Sequence, residues 1–154
     1  MGTVIVNPQV TTGQISLEMP SKVYGLSKSM FMGRADTLKI YRVLMEFPIS
    51  MIPEHCTILK ATLKIYVQFA GTRILSSFTP YGLQEPWSPL TLNWNNQPSF
   101  YSQISGDTLH FGREGFYSFN ITKLVSKWYQ QEIPNYGLII KNNEVEKGTL
   151  KRIT

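Results

Sequence analysis

The sequence predicts an all-β fold, a β-sandwich with one short helix at about residues 121–131. Three observations carry this. Stretches of alternating or β-branched residues recur along the chain, separated by Gly, Pro and Asn turn signals at sandwich-like spacing. Only one stretch, Ile121 to Gln131, has helical periodicity. Aromatic residues make up 12% and hydrophobic residues 42% of the chain, with no low-complexity segment, which suits pleated, half-buried surfaces and not disorder. A chain of 154 residues is enough for a single domain, residues 1–154, with its own core.

Taken in order, Thr3 to Val6 is an apolar, β-branched run and reads as a first strand that stops at Asn7-Pro8. Gln14 to Met19 alternates and reads as a second strand, Tyr24-Gly25 as a turn, and Ser29 to Gly33 as a third strand. Leu38 to Ile49 is apolar on both faces, the pattern of a strand covered on both sides. Arg42 and Glu46 share a face with Leu38, Ile40 and Leu44, so both ions need partners if that face is core. Pro48 removes a ladder donor and frays the strand or places it at an edge.

Ile58 to Phe69 is the clearest strand. Ala61, Leu63, Ile65 and Val67 point one way, and Lys60, Thr62, Lys64, Tyr66 and Gln68 the other. Arg73 to Tyr81 follows the Ala70-Gly71 turn, and the short connection predicts an antiparallel neighbour of that strand. Trp87 to Pro98, WSPLTLNWNNQP, reads as the crossing between two sheets, with Trp94 as a core plug and Asn95 to Pro98 as the turn beyond it. Ser99 to Gly115 is loosely patterned. Phe116 to Phe119 is a strand, and Asn120 an N-cap. The helix after it carries Ile121, Leu124, Val125 and Trp128 on one face and Lys123, Lys127 and Gln130 on the other, with Trp128 as core. Asn135-Tyr136-Gly137 turns into the strand Leu138 to Lys141, and Thr149 to Thr154 begins one more.

Charge is sparse at 16%, with a balance of +5. The excess either meets an acidic partner or solvates outer strand faces. No basic run and no basic helix is present, so nucleic acid is not expected as a partner. Cys56 stands alone, which rules out an intrachain disulfide and leaves a small buried hydrophobe or an intermolecular bridge. The N-terminal MGTVIVNPQV lacks the charged and apolar regions of a signal peptide, and Gly2 lacks the Ser or Thr of a myristoylation motif. No apolar stretch is long enough to span a bilayer, so membrane insertion is not expected.

His55 and His110 lie near no Cys or carboxylate cluster, so no metal site and no cofactor is expected. HExxH, a phosphate-cradling Gly loop and GxSxG are all missing, and no pair of carboxylates stands in a context that suggests glycoside hydrolysis. An enzyme is not expected. The best candidate for binding is the polar face of the clearest strand: Lys60, Thr62, Lys64 and Tyr66. Cations beside an aromatic ring suit an anionic sugar, with charge on the carboxylate and ring on the apolar sugar face. The alternative is an ordinary solvent-facing strand, or one packed on a neighbouring subunit. Lys39 and Arg73 join the patch if their strands adjoin it.

Five stretches in order, VYGLSKSMFMGR, YRVLMEFPIS, CTILKATLKIYV, WSPLTLNWNNQP and FNITKLVSKWYQQEIPNYGLIIK, resemble the DNRLRE-domain family. That family overlaps the family-ninety-six carbohydrate-binding modules and is related in shape to the TGF-β propeptide. The resemblance spans nearly the whole chain. It implies a jelly-roll β-sandwich without a catalytic centre, of a kind found on bacterial surface proteins and polysaccharide-active enzymes, where some members bind glycans. Short members without a signal peptide resemble spore-surface components. The sequence departs from the pattern at Val23, where the family often has Asn. Family members also continue past Leu150 into a further closing strand, whereas this chain ends at Thr154. A missing strand implies an open sheet edge, which is a template for another chain. Two functions follow as expectations. One is a structural module of a bacterial cell or spore surface that self-associates with copies of itself through strand pairing, with Thr3, Val4, Ile5 and Val6 as the donated segment. The other is a module that recognises an acidic polysaccharide through Lys60, Lys64 and Tyr66.

Overall fold

The structure is a computed structural model and describes residues 4–154. It holds ten strands and one helix: β1 Thr11–Ser16, β2 Met30–Arg34, β3 Ile40–Glu46, β4 Thr62–Gln68, β5 Ser76–Leu83, β6 Phe100–Ser105, β7 Leu109–Phe111, β8 Gly115–Asn120, α1 Thr122–Tyr129, β9 Leu138–Asn142 and β10 Lys151–Ile153. All pairings are antiparallel. The strands run β6-β5-β9-β3-β2-β10-β4-β8, with β1 added to β3 and β7 to β5. The sheet curls on itself into an all-β sandwich, as the alternation predicts.

The curl is made at β2. Its last residues, Gly33 and Arg34, pair with Tyr41 and Ile40 of β3, while Met30 to Met32 pair with Ile153 to Lys151 of β10. Gly33 has φ +104°, and a Cβ there would meet the Thr149 carbonyl oxygen at 2.6 Å. Only glycine supplies both the conformation and the clearance. Gly137, at φ +86° against the Met45 backbone, lets the chain enter β9 in the same way.

Between the two halves lies the main core, with Val43, Met45, Phe78, Phe111, Leu138 and Ile140 facing Met30, Met32, Leu63, Ile65, Val67, Phe119 and Ile153. The helix closes it with Ile121, Leu124, Val125 and Trp128, and the Trp128 ring meets Phe47 edge-on at 5.6 Å. Trp128 is core, as the helical pattern predicts. The helix is shorter than 121–131, and its N-cap is Ile121, not Asn120, with no side-chain cap; the Asn120 side chain, one residue upstream, accepts from the Thr122 backbone N–H at 3.0 Å in a local turn. A second, smaller core of Ile15, Leu44, Leu83, Leu92 and Ile139 lies on the other side of β3 and β9, so those strands are buried on both faces.

Several expectations are corrected. Val4 to Val6 form no strand, and Val4 and Ile5 stand 65% and 85% exposed, because no neighbouring strand pairs with them; Thr3 lies outside the described residues. β5 does not adjoin β4. It pairs with β9, β6 and β7, and the Phe69-to-Leu75 connection carries the chain from one half of the sandwich to the other. Both strands turn apolar residues into the same core, so they stack face to face. Trp87 to Pro98 is not a crossing either: β5 and β6 pair with each other, and the loop between them folds over the outer side of their own half. Finally, β10 is an interior strand, paired to β2 on one side and β4 on the other. The open edge expected beside the last strand is therefore filled.

Lys151 points inward from β10 and is 1% exposed, with its Nζ donating to the Ile74 carbonyl at 3.0 Å. Burial holds its ammonium pKa below the ordinary 10.5. The unfolded chain therefore binds this proton more tightly, and the side chain costs stability at neutral pH but not above its ordinary pKa. Lys151→Met is expected to raise the thermal midpoint near neutral pH, with the gap to the parent closing as pH approaches 10.5, read by circular dichroism melts. Gly33→Ala is expected to cost about 2 kcal/mol, a fall of roughly 4–8 °C in the midpoint of the same melt.

Candidate functional site

The outward side chains of β4 are Thr62, Lys64, Tyr66 and Gln68, because Leu63, Ile65 and Val67 are drawn into the core. Register with β8 sets Asn120 opposite Thr62, Ser118 opposite Lys64 and Phe116 opposite Tyr66. The Phe116 ring is 66% exposed. Its centroid lies 4.8 Å from that of Tyr66 in an edge-on arrangement, and the Lys64 Nζ stands 4.5 Å from the same ring. A cation and two aromatic rings thus share a small area of open sheet. Lys60 lies exposed just before the strand. Among the described residues neither Lys60 nor Lys64 has an acidic partner, so both charges are available to a ligand.

The structure therefore brings Lys64 and Tyr66 together and adds Phe116, which the sequence reading missed. The alternation of Phe116 with Tyr117, Ser118 and Phe119 places the ring on one face, but only strand pairing puts it beside Tyr66. Lys39 and Arg73 do not join this patch as free cations. Lys39 approaches Glu18 at 4.0 Å. Arg73 binds Glu114 through both carboxylate oxygens, at 2.6 and 2.9 Å, and holds that carboxyl down to about pKa 2. The Val4 to Val6 segment instead walls an apolar groove of about 940 Å³ with Phe47, Ile52, Ile58 and Leu59. His55 lies in that groove, and no group of three or more metal-ligating side chains occurs among the described residues.

The tryptophan-rich loop serves the fold. Trp87 donates its indole N–H to the Tyr136 carbonyl at 2.8 Å. Trp94 is half-buried in the smaller core and carries the Arg42 guanidinium 4.5 Å from its ring centroid. Arg42 donates to both Glu144 oxygens, at 2.8 and 2.9 Å, and to Gln97 Oε1 at 2.8 Å. Arg42 thus has the partner its position demands. Burial pushes the Glu144 carboxyl up, but Arg42 and Lys141 outweigh it and hold the pKa below the ordinary value. Glu46 has its pKa raised by burial alone. No helix among the described residues is long and apolar enough to cross a membrane.

The described residues form an all-β sandwich with one open face that carries a cation beside two aromatic rings. Residues 13–151 match the carbohydrate-binding module family 96, and the chain belongs to that family. The members of such families are binding modules without a catalytic role of their own. Among curated proteins, none matches the chain.

Arg42 and Glu144 are only 14% and 15% exposed, and without Arg42 the Glu144 carboxylate keeps only the longer contact to Lys141, at 3.6 Å. Arg42→Met is expected to destabilise the fold by about 3 kcal/mol, measured by urea denaturation.

Proposed function

We propose that this module binds an acidic polysaccharide on the open face of β4 and β8. Lys64 and Lys60 pair with sugar carboxylates, and the Tyr66–Phe116 pair packs on the apolar face of a ring. The observation that carries this reading is the placement of Lys64 over the exposed Phe116 ring, beside Tyr66, with no acidic residue paired to it. Family membership supports a carbohydrate as the ligand. The free cations favour an acidic glycan over a neutral one, and favour attraction that weakens as salt rises.

A second reading is self-association through strand pairing on a bacterial cell or spore surface. It draws on the resemblance of the sequence motifs to the DNRLRE-domain family and on one structural feature. β8 ends the strand path and has one unpaired side among the described residues, a template for a strand of a second copy. A particle of monomer mass at high concentration removes this reading and leaves the first intact.

Titration with alginate, pectin and a neutral glucan is expected to give binding to an acidic polymer. Lys64→Ala combined with Tyr66→Ala is expected to weaken that binding by about a hundredfold, the loss of one cation and one ring contact. Binding equal to the parent's would place the ligand on another face.

A further inference from the structure

We infer that the binding face does not stop at β4 and β8 but continues across β10 and β2 into a cleft beside Phe31, forming one track on which Arg152 reads a carboxylate midway along an extended acidic chain. The inference rests on the carbohydrate reading above and extends it to a second subsite.

The register makes the track. Met30 and Met32 of β2, Lys151 and Ile153 of β10, and Leu63, Ile65 and Val67 of β4 all point inward. The residues between them therefore share the outer face. Phe31 lies directly opposite Arg152, and Arg152 directly opposite Gln68. Tyr66 is the next outward residue on β4, and Phe116 lies opposite it. From β2 to β8 there are three strand spacings, a width of about 14 Å. A chain of several linked sugar rings is needed to cover it.

Phe31 leads from this face into a cleft of about 360 Å³ that also takes in Tyr24, Tyr41, Lys22 and Glu18. The Phe31 and Tyr41 rings stand 5.9 Å apart, and Lys22 lies 4.7 Å from the Tyr24 ring centroid. The cleft thus repeats the chemistry of the Lys64–Phe116–Tyr66 platform in concave form. Glu18 accepts from the Tyr41 hydroxyl at 3.3 Å and would repel a sugar carboxylate there. The cleft accordingly takes a ring with its hydroxyls toward Glu18 and its carboxylate toward Lys22.

Arg152 is the least explained residue on this face. It sits in an interior strand, makes no hydrogen bond or ion pair among the described residues, and its Nε is buried without a partner. No Asp or Glu occupies an outward position of β2, β10, β4 or β8. An unpaired guanidinium between two aromatic clusters offers a planar fork to a carboxylate, which lysine cannot reproduce.

The test is calorimetry of the full chain with uronic acid oligomers of graded length. Affinity is expected to climb beyond the disaccharide until both subsites are filled. Arg152→Gln and Phe31→Ala are each expected to weaken a long oligomer by about tenfold while leaving a disaccharide unaffected, and Arg152→Lys to restore only part of the loss. Affinity that levels off at the disaccharide overturns the track and leaves the platform standing, and needs no variant to fold. The track equally falls if Arg152→Gln, shown folded by its melt, binds long oligomers as the parent does. No binding of any oligomer or polymer by the parent overturns both the track and the carbohydrate reading.

Discussion

The sandwich depends on one strand belonging to two ladders. β2 gives its last two residues to β3 and its first three to β10, and the change of partner falls at Gly33. Two consequences follow from this handover. The halves of the sheet face each other, so that Phe78 and Val43 meet the side chains of β4 and β8 across a shared core. And β10 is drawn between β2 and β4, which makes a four-stranded outer face where a chain read in order would place only a hairpin. A side chain at Gly33 would collide with the Thr149 backbone and push β10 away from that position.

Burial on both faces of β3 and β9 imposes a second constraint. Val43 and Ile140 serve the main core, whereas Leu44 and Ile139 serve the smaller one beneath the tryptophan-rich loop. Arg42 has to lie in that second layer. The loop answers with Trp94 as a stacking surface and Gln97 as an acceptor, and Glu144 supplies the countercharge. The most conspicuous aromatic motif of the sequence is therefore spent on holding an ion inside the protein.

Arg42, Lys141, Arg73, Lys127, Lys147 and Lys39 all lie within reach of a carboxylate. Lys64 and Arg152 are among the cations that do not, and both stand on the outer face of the β2-β10-β4-β8 half. An overall excess of +5 says little about a partner. What distinguishes the outer face of β4 and β8 is that Lys64 stands beside exposed rings without an acidic partner among the described residues.

The sequence by itself determined which way side chains point. The alternation of Leu63, Ile65 and Val67 with Lys64 and Tyr66, the double-sided run around Val43 and Leu44, and the helical face ending at Trp128 were all legible, because water sorts apolar from polar side chains within each element. Only the tertiary structure decided which strands lie side by side. Backbone N–H and C=O groups are the same in every residue, so nothing in Phe116 announces Tyr66 as its neighbour, nothing in Arg73 to Tyr81 declares that it stacks across the core from β4, and nothing in Lys151 to Ile153 says that it fills an interior position. Those choices are made by the packing of the whole core at once, and the face on which Lys64, Phe116 and Arg152 meet exists only after they are made.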